Sequence, residues 1–242
     1  MCGRFGRRSD QSQVAAWARS HDIDLFDLDS ETDYLRLASS YNIAPSSKQP
    51  VVRIDRDTGK PALTLMKWGL VPSWSPAPVA DFKSINARAD RLDSSGAWRE
   101  SWKRRRCLIP AEFFYEWEPL SVEEKRRRIS RPWAVSLVDE STFAFGGIWD
   151  RWKGNGDKDR SFVLYSFSIV TVDPNELLEP FHNRCPLIIE PKDYQRWLEP
   201  ESPHPPVDLL RTFPAEKMKA WRVAPLRGDG PQLLAPLDDR HS

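Results

Sequence analysis

The chain has 242 residues, with 36 Lys+Arg against 35 Asp+Glu and a hydrophobic share of 40%. That length fits one large domain or two small ones, and the apolar content, with 11 Trp and 11 Phe, excludes a disordered chain. A net charge of +1 does not mark a nucleic-acid binder, so any phosphate-binding surface must come from the placement of charges.

In chain order, Met1-Cys2-Gly3-Arg4-Phe5 comes first. Ser9 to Ser20 reads as a short helix capped by Ser9 or Asp10, with Val14, Trp17 and Ala18 on one face. Residues 21–40 are acidic and weakly patterned, a loop with some helix. Tyr41-Asn42-Ile43-Ala44-Pro45 leads into the apolar run Val51 to Ile54. Asp57-Thr58-Gly59 is a turn signal, and Leu63 to Trp68 alternates as a returning strand. Gly69 to Ile85 is rich in Pro and Trp and reads as irregular. Helical propensity returns at Ala97 to Arg105, followed by strand-like Cys107 to Ile109 and Phe113 to Trp117. Pro132 to Val138, Thr142 to Trp149 and Phe162 to Val172 are further strands at hairpin spacing. Asp173-Pro174 has the pattern of a helix start, Leu187 to Ile189 of a strand, Pro191 to Leu198 and Pro206 to Phe213 of short helices, and Trp221 to Val223 of a last strand. The tail after Pro231 is expected to be flexible. These patterns predict α+β: a single domain over residues 2–230, built on largely antiparallel sheet and flanked by short helices.

Cys2, Cys107 and Cys185 are an odd, sparse set, and His21, His182, His204 and His241 are scattered, so no metal spacing is present. Sparse cysteine argues for a reducing compartment, nucleus or cytoplasm. No apolar run of spanning length occurs. A cysteine side chain is small enough for removal of Met1 to be expected. Cys2 would then carry an α-amine beside its thiol, a pair that condenses with an aldehyde to a thiazolidine. Glu116, flanked by Phe113, Phe114, Tyr115 and Trp117, is either a desolvated acid/base or a residue on a wet strand face. His182 sits at a loop end before an apolar strand and is either a proton shuttle or an ordinary loop histidine. Asn86 can orient an amine and Arg88 can fork a phosphate, although a cap and a surface charge fit the same spacing. Trp74, among prolines and serines, is the better candidate for stacking on a base, whereas Trp68 fits a core. Lys125-Arg126-Arg127-Arg128 reads as a solvated face in a hairpin loop, while Lys103 to Arg106 is a second basic run.

Six segments together resemble the SRAP family, the SOS response-associated peptidases and abasic-site processing proteins. They are Met1 to Phe5, Tyr41 to Pro45, Trp68 to Trp74, Ile85 to Arg88, Phe114 to Trp117 and His182 to Pro186, in the family's order. The resemblance implies a twisted, barrel-like sheet and a groove for single-stranded DNA containing abasic sites. It implies Cys2 as the nucleophile that ends as a thiazolidine DNA–protein crosslink. Asn86 matches the residue positioning the α-amine, Glu116 the acid/base, and His182 the residue assisting sugar ring opening. Arg4, Arg88, Trp74, Asn42 and Pro45 match positions lining the DNA groove. No metal or organic cofactor is implied. A monomer is expected, and partners at replication forks are compatible with this role. Two features depart from the family pattern: Cys185, where a bulkier residue is usual, and the basic insert at 121–131.

Two other readings remain from the residues alone. One is a cysteine peptidase, with Cys2 as nucleophile and Glu116 or His182 as base, whose minimal act is removal of Met1. The other is a non-catalytic module for single-stranded DNA in which Cys2 is idle.

Overall fold

The computed structural model describes residues 2–25, 38–79, 82–154, 162–200 and 204–237. Its strands are β1 (Arg4–Arg7), β2 (Ser40–Ile43), β3 (Lys48–Ile54), β4 (Pro61–Trp68), β5 (Asn86–Arg88), β6 (Arg106–Ala111), β7 (Phe113–Trp117), β8 (Pro132–Leu137), β9 (Phe143–Lys153), β10 (Val163–Val172), β11 (Cys185–Pro186), β12 (Ile188–Ile189) and β13 (Met218–Arg222). The helices are short: α1 (Gln11–Ser20), α2 (Arg99–Arg104), α3 (Val122–Arg126) and α4 (Tyr194–Leu198). Asp10 caps α1 and forms a capping box with Gln13, while Val14 and Ala18 turn into the core.

Five strands close on themselves in the order β10-β4-β3-β6-β9, with β9 pairing back to β10. A barrel this narrow is filled by side chains. Gly147 shows how tightly: a Cβ there would lie 2.4 Å from Ile109 Cδ1 and 2.9 Å from the Ser168 carbonyl oxygen. Strand β10 is the hub. It is nearly continuously buried, as expected of a strand covered on both faces. It pairs antiparallel with β9 and β11 and parallel with β4 and β5. The two parallel seams were not legible in the hairpin spacing.

A second sheet of five strands, in the order β13-β8-β7-β1-β2, lies outside the barrel. Phe5 of β1 joins the two. Its ring meets Trp68 at 5.1 Å and Phe145 at 5.7 Å between centroids, both edge to face. Burying a side chain of this size stabilises the fold by roughly 1.5–3 kcal/mol, so Phe5 fastens the N-terminal strand to the core.

Three expected elements differ. Asp173-Pro174 starts no helix; the segment makes turns capped by Asn175, whose Oδ1 accepts from the Leu178 N–H at 3.0 Å, because Asp173 is engaged with Arg184 at 2.6 Å. Pro206 to Phe213 holds only the 3-10 turn Val207–Leu209. Pro231–Leu234, placed in the flexible tail, forms a 3-10 turn with Leu233 buried, and Val223 bridges Pro236. The tail beyond residue 237, residues 26–37 of the acidic loop, and residues 155–161 of the turn after Gly154 lie outside the described residues. The basic insert folds as α3 with a Ser121–Glu124 capping box inside the β7–β8 hairpin, and Arg126, Arg127 and Arg128 are exposed, as the solvated-face reading expects.

Candidate functional site

Trp68 organises the approach to the site. It is fully buried, and its indole N–H donates to the Ile85 carbonyl at 2.9 Å. This holds the 3-10 turn Phe82–Ile85 immediately ahead of Asn86. Asn86 then enters β5 opposite Ile169 of β10. Its side-chain amide donates to the Cys2 carbonyl at 2.9 Å. Asn86 Oδ1 is buried and has no hydrogen-bond partner among the described residues.

Cys2 is held, not frayed. It is fully buried, and its thiol donates to the Arg4 carbonyl at 3.8 Å. Burial, followed by the nearby Glu116 carboxyl, pushes the thiol far above its usual range. Glu116 is only 4% exposed, which decides against a wet strand face. Burial raises its carboxyl to about 7, with the positive charge of the amino terminus opposing. His182 is half-buried, and burial, then that same positive charge, hold its imidazole below the usual value. The Arg184 backbone N–H donates to His182 Nδ1 at 3.0 Å, which leaves the imidazole proton on Nε2. Asn86 thus touches Cys2 directly, and Glu116, His182 and Cys2 all feel one amino terminus.

Cys185 belongs to the same neighbourhood. Its thiol donates to the Asp173 carbonyl at 3.1 Å, and burial, then Glu116, raise it to about 12. Its side chain is buried and packs within the main hydrophobic core.

The expected groove residues are less uniformly placed. Arg4 donates to Asn42 Oδ1 at 3.0 Å, and Asn42 donates to the Gly228 carbonyl at 2.8 Å. Pro45 is half-buried after β2. Arg88 makes a two-pronged pair with Asp90, at 3.0 and 2.7 Å. Trp74 is 68% exposed. Its loop is anchored to β9: Ser73 N–H donates to Asp150 at 2.9 Å, and Trp152 Nε1 donates to the Ser75 carbonyl at 2.8 Å. The second basic run divides. Arg105 pairs with Asp150 at 3.4 Å and Arg106 donates to the Trp197 carbonyl at 2.7 Å, whereas Lys103 and Arg104 are exposed.

Sequence reasoning missed Asp90, Arg184 and Asp229. Arg184 is buried, pairs with Asp173 and lies 3.8 Å from Asp90. Asp229 accepts from Ser40 at 2.9 Å and from the Tyr41 backbone, holding β2 in place. The acid two residues after Arg88 was a local signal. Nothing local joined Asp229 to Tyr41.

The family model for SOS response associated peptidase (SRAP) matches residues 1–227. The chain belongs to the SRAP family. Among its relatives in this family, the abasic site processing protein YoqW of Bacillus subtilis (strain 168) is 32% identical over 243 residues, covering 97% of this chain and 99% of that one. The abasic site processing protein HMCES of Pongo abelii is 28% identical, over 82% of this chain and 65% of the relative. A crystal structure of a protein from Bacteroides thetaiotaomicron matches the fold with a TM-score of 0.80 at 24% identity, over 98% of this chain and 100% of that one. The single α+β domain with a barrel-like sheet is therefore the SRAP fold. No helix among the described residues is long and apolar enough to cross a membrane.

Proposed function

We propose that this protein captures abasic sites in single-stranded DNA as a covalent thiazolidine on Cys2. The observation that carries the reading is the Asn86–Cys2 hydrogen bond at 2.9 Å, which holds the Cys2 backbone beside a buried carboxyl raised to about 7. The naming of the relatives as abasic site processing proteins supports the substrate.

Loss of Met1 makes the Cys2 nitrogen a primary amine. The His182 Nε2–H faces the sugar as its ring opens to the aldehyde. The amine adds to the aldehyde carbon and water leaves, giving an imine. The thiol then adds across the C=N bond: a C–S bond forms, and the thiol proton ends on nitrogen. A buried thiol is a poor thiolate, so this last step needs a base that takes the proton and an acid that returns it. Glu116, half-ionised near neutral pH, does both. Asn86 Oδ1 is the acceptor that orients the amine. The ring lacks a good leaving group, so the adduct persists. Arg4, Arg88, Asn42 and Pro45 flank the strand, and Trp74 stacks on a base farther along it.

The test is an abasic oligonucleotide mixed with protein without reductant and run on a denaturing gel. A heat-stable shifted band from wild type that is absent in Cys2→Ala supports capture. No band from protein whose intact mass shows Met1 removed would sink it. The peptidase reading predicts instead that Cys2→Ala protein retains Met1.

A further inference from the structure

Glu116 is part of a row that crosses the outer sheet. Residues opposite each other on adjacent strands share a face. Glu116 of β7 is opposite Trp133 of β8, and Trp133 is opposite Arg222 of β13. At ordinary strand spacing the Arg222 backbone lies about 10 Å from that of Glu116. The alternate residues Tyr115, Trp117 and Trp221 point to the other face and pack there in a separate aromatic cluster.

The row is held in place. The Trp133 indole N–H donates to Glu118 at 2.8 Å, which fixes the edge of the ring. The ring lies against Phe181, with centroids 5.2 Å apart at 45°. Phe181 immediately precedes His182, so the histidine turn lies against the row. Trp133 and Arg222 are half-buried, unlike Glu116. A partly open indole beside a guanidinium is chemistry for a nucleotide. The π face takes any base, and the guanidinium forks a phosphate. The carboxyl–indole–guanidinium order also keeps a phosphate two strands from the Glu116 carboxyl.

We propose that Trp133 and Arg222 form a subsite for the nucleotide next to the captured sugar, its base stacked on Trp133 and its phosphate on Arg222, without reading base identity. This rests on the reading of the site as a binder of single-stranded DNA. Equilibrium binding of an undamaged, fluorescent single-stranded oligonucleotide, measured by anisotropy in a Cys2→Ala background across a salt series, tests it. Arg222→Gln is expected to weaken binding roughly 5–10-fold at low salt and to reduce the salt slope by about 0.7. Trp133→Leu is expected to weaken it roughly 5–100-fold at an unchanged slope, and Trp133→Tyr to recover most of the loss. Wild-type affinity and slope in Arg222→Gln would overturn the subsite. So would Trp133→Tyr binding no better than Trp133→Leu when both melt at the parent temperature. If Trp133→Leu does not fold, Arg222→Gln decides. Binding that depends on the row, in a protein that forms no adduct with an abasic oligonucleotide, would keep the subsite and remove covalent capture. No binding of the undamaged oligonucleotide by the parent protein would remove the subsite, while capture would still be decided by the denaturing gel with wild-type protein.

Discussion

Asn86 and Cys2 lie 84 positions apart in sequence and are joined by a 2.9 Å hydrogen bond from the Asn86 side-chain amide to the Cys2 carbonyl. The bond spans the two sheets, from β5 on the barrel to the residue two before β1. Asn86→Ala removes the donor and leaves a buried carbonyl unpartnered, at a cost of roughly 1–3 kcal/mol. The melting temperature is expected to fall by about 2–10 °C. Adduct formation is expected to slow at least tenfold as the Cys2 backbone loses its orientation, about the rate equivalent of a 1.4 kcal/mol loss. A thermal melt and a gel time course check both.

Glu116 makes stability depend on pH. Its carboxyl is raised from 4.5 to about 7 by burial against the opposing charge of the amino terminus, with the Cys2 and Cys185 thiols facing it. Below about pH 4.5 the group is protonated in folded and unfolded chains alike. As pH rises to about 7 the unfolded chain gives up its proton first, so stability falls, by at most about 3 kcal/mol in total. Glu116→Gln keeps the shape without the ionisation. It is expected to melt above wild type at pH 8 and to converge with it near pH 4. Adduct formation is expected to lose its inflection near neutral pH and to slow, with DNA affinity intact. Parallel melts and rates across pH decide the point.

Arg88 is paired with Asp90 at 2.7 Å. If Arg88 takes a phosphate as proposed, that phosphate has to displace the carboxylate. Asp90→Asn is therefore expected to tighten binding of single-stranded DNA about two- to fivefold at low salt and to steepen its salt dependence, consistent with one freed cation worth about 0.7 in slope. Arg88→Ala is expected to weaken binding and flatten the slope. Anisotropy titrations at several salt concentrations read both.

Trp74 is 68% exposed on a loop anchored by other residues. Its removal should leave folding untouched, since surface substitutions usually stay within about 0.5 kcal/mol. Trp74→Ala is expected to keep the melting temperature while lowering affinity for single-stranded DNA roughly 5–100-fold. A drop in melting temperature of more than a few degrees would place Trp74 in the core instead.

Most of the longer strands, most turns and the α1 cap were legible because they depend on local patterns: alternation in Leu63 to Trp68, the turn at Asp57 to Gly59, and Asp10 ahead of Val14; the short strands β1, β2 and β5 were not. The family was legible from six short motifs in order. Asp173 was misread as a helix cap because its partner, Arg184, approaches from across a turn. Asp229 was missed because its contact with Tyr41 spans 188 positions.

The amino-acid sequence by itself determined the residue types of this site, a thiol at Cys2 with an amide, a carboxyl and an imidazole elsewhere. It left open whether Glu116 faced water and whether Cys2 was a loose end. Tertiary structure decided both. Strand alternation allows either face of β7 to be wet, and only packing of the outer sheet against the barrel buries Glu116 and raises its carboxyl. Likewise, Cys2 becomes a fixed position only because Phe5 inserts between Trp68 and Phe145, and Trp68 in turn sets Asn86 against its carbonyl. Register between strands far apart in sequence comes from side-chain packing, and no local pattern encodes it.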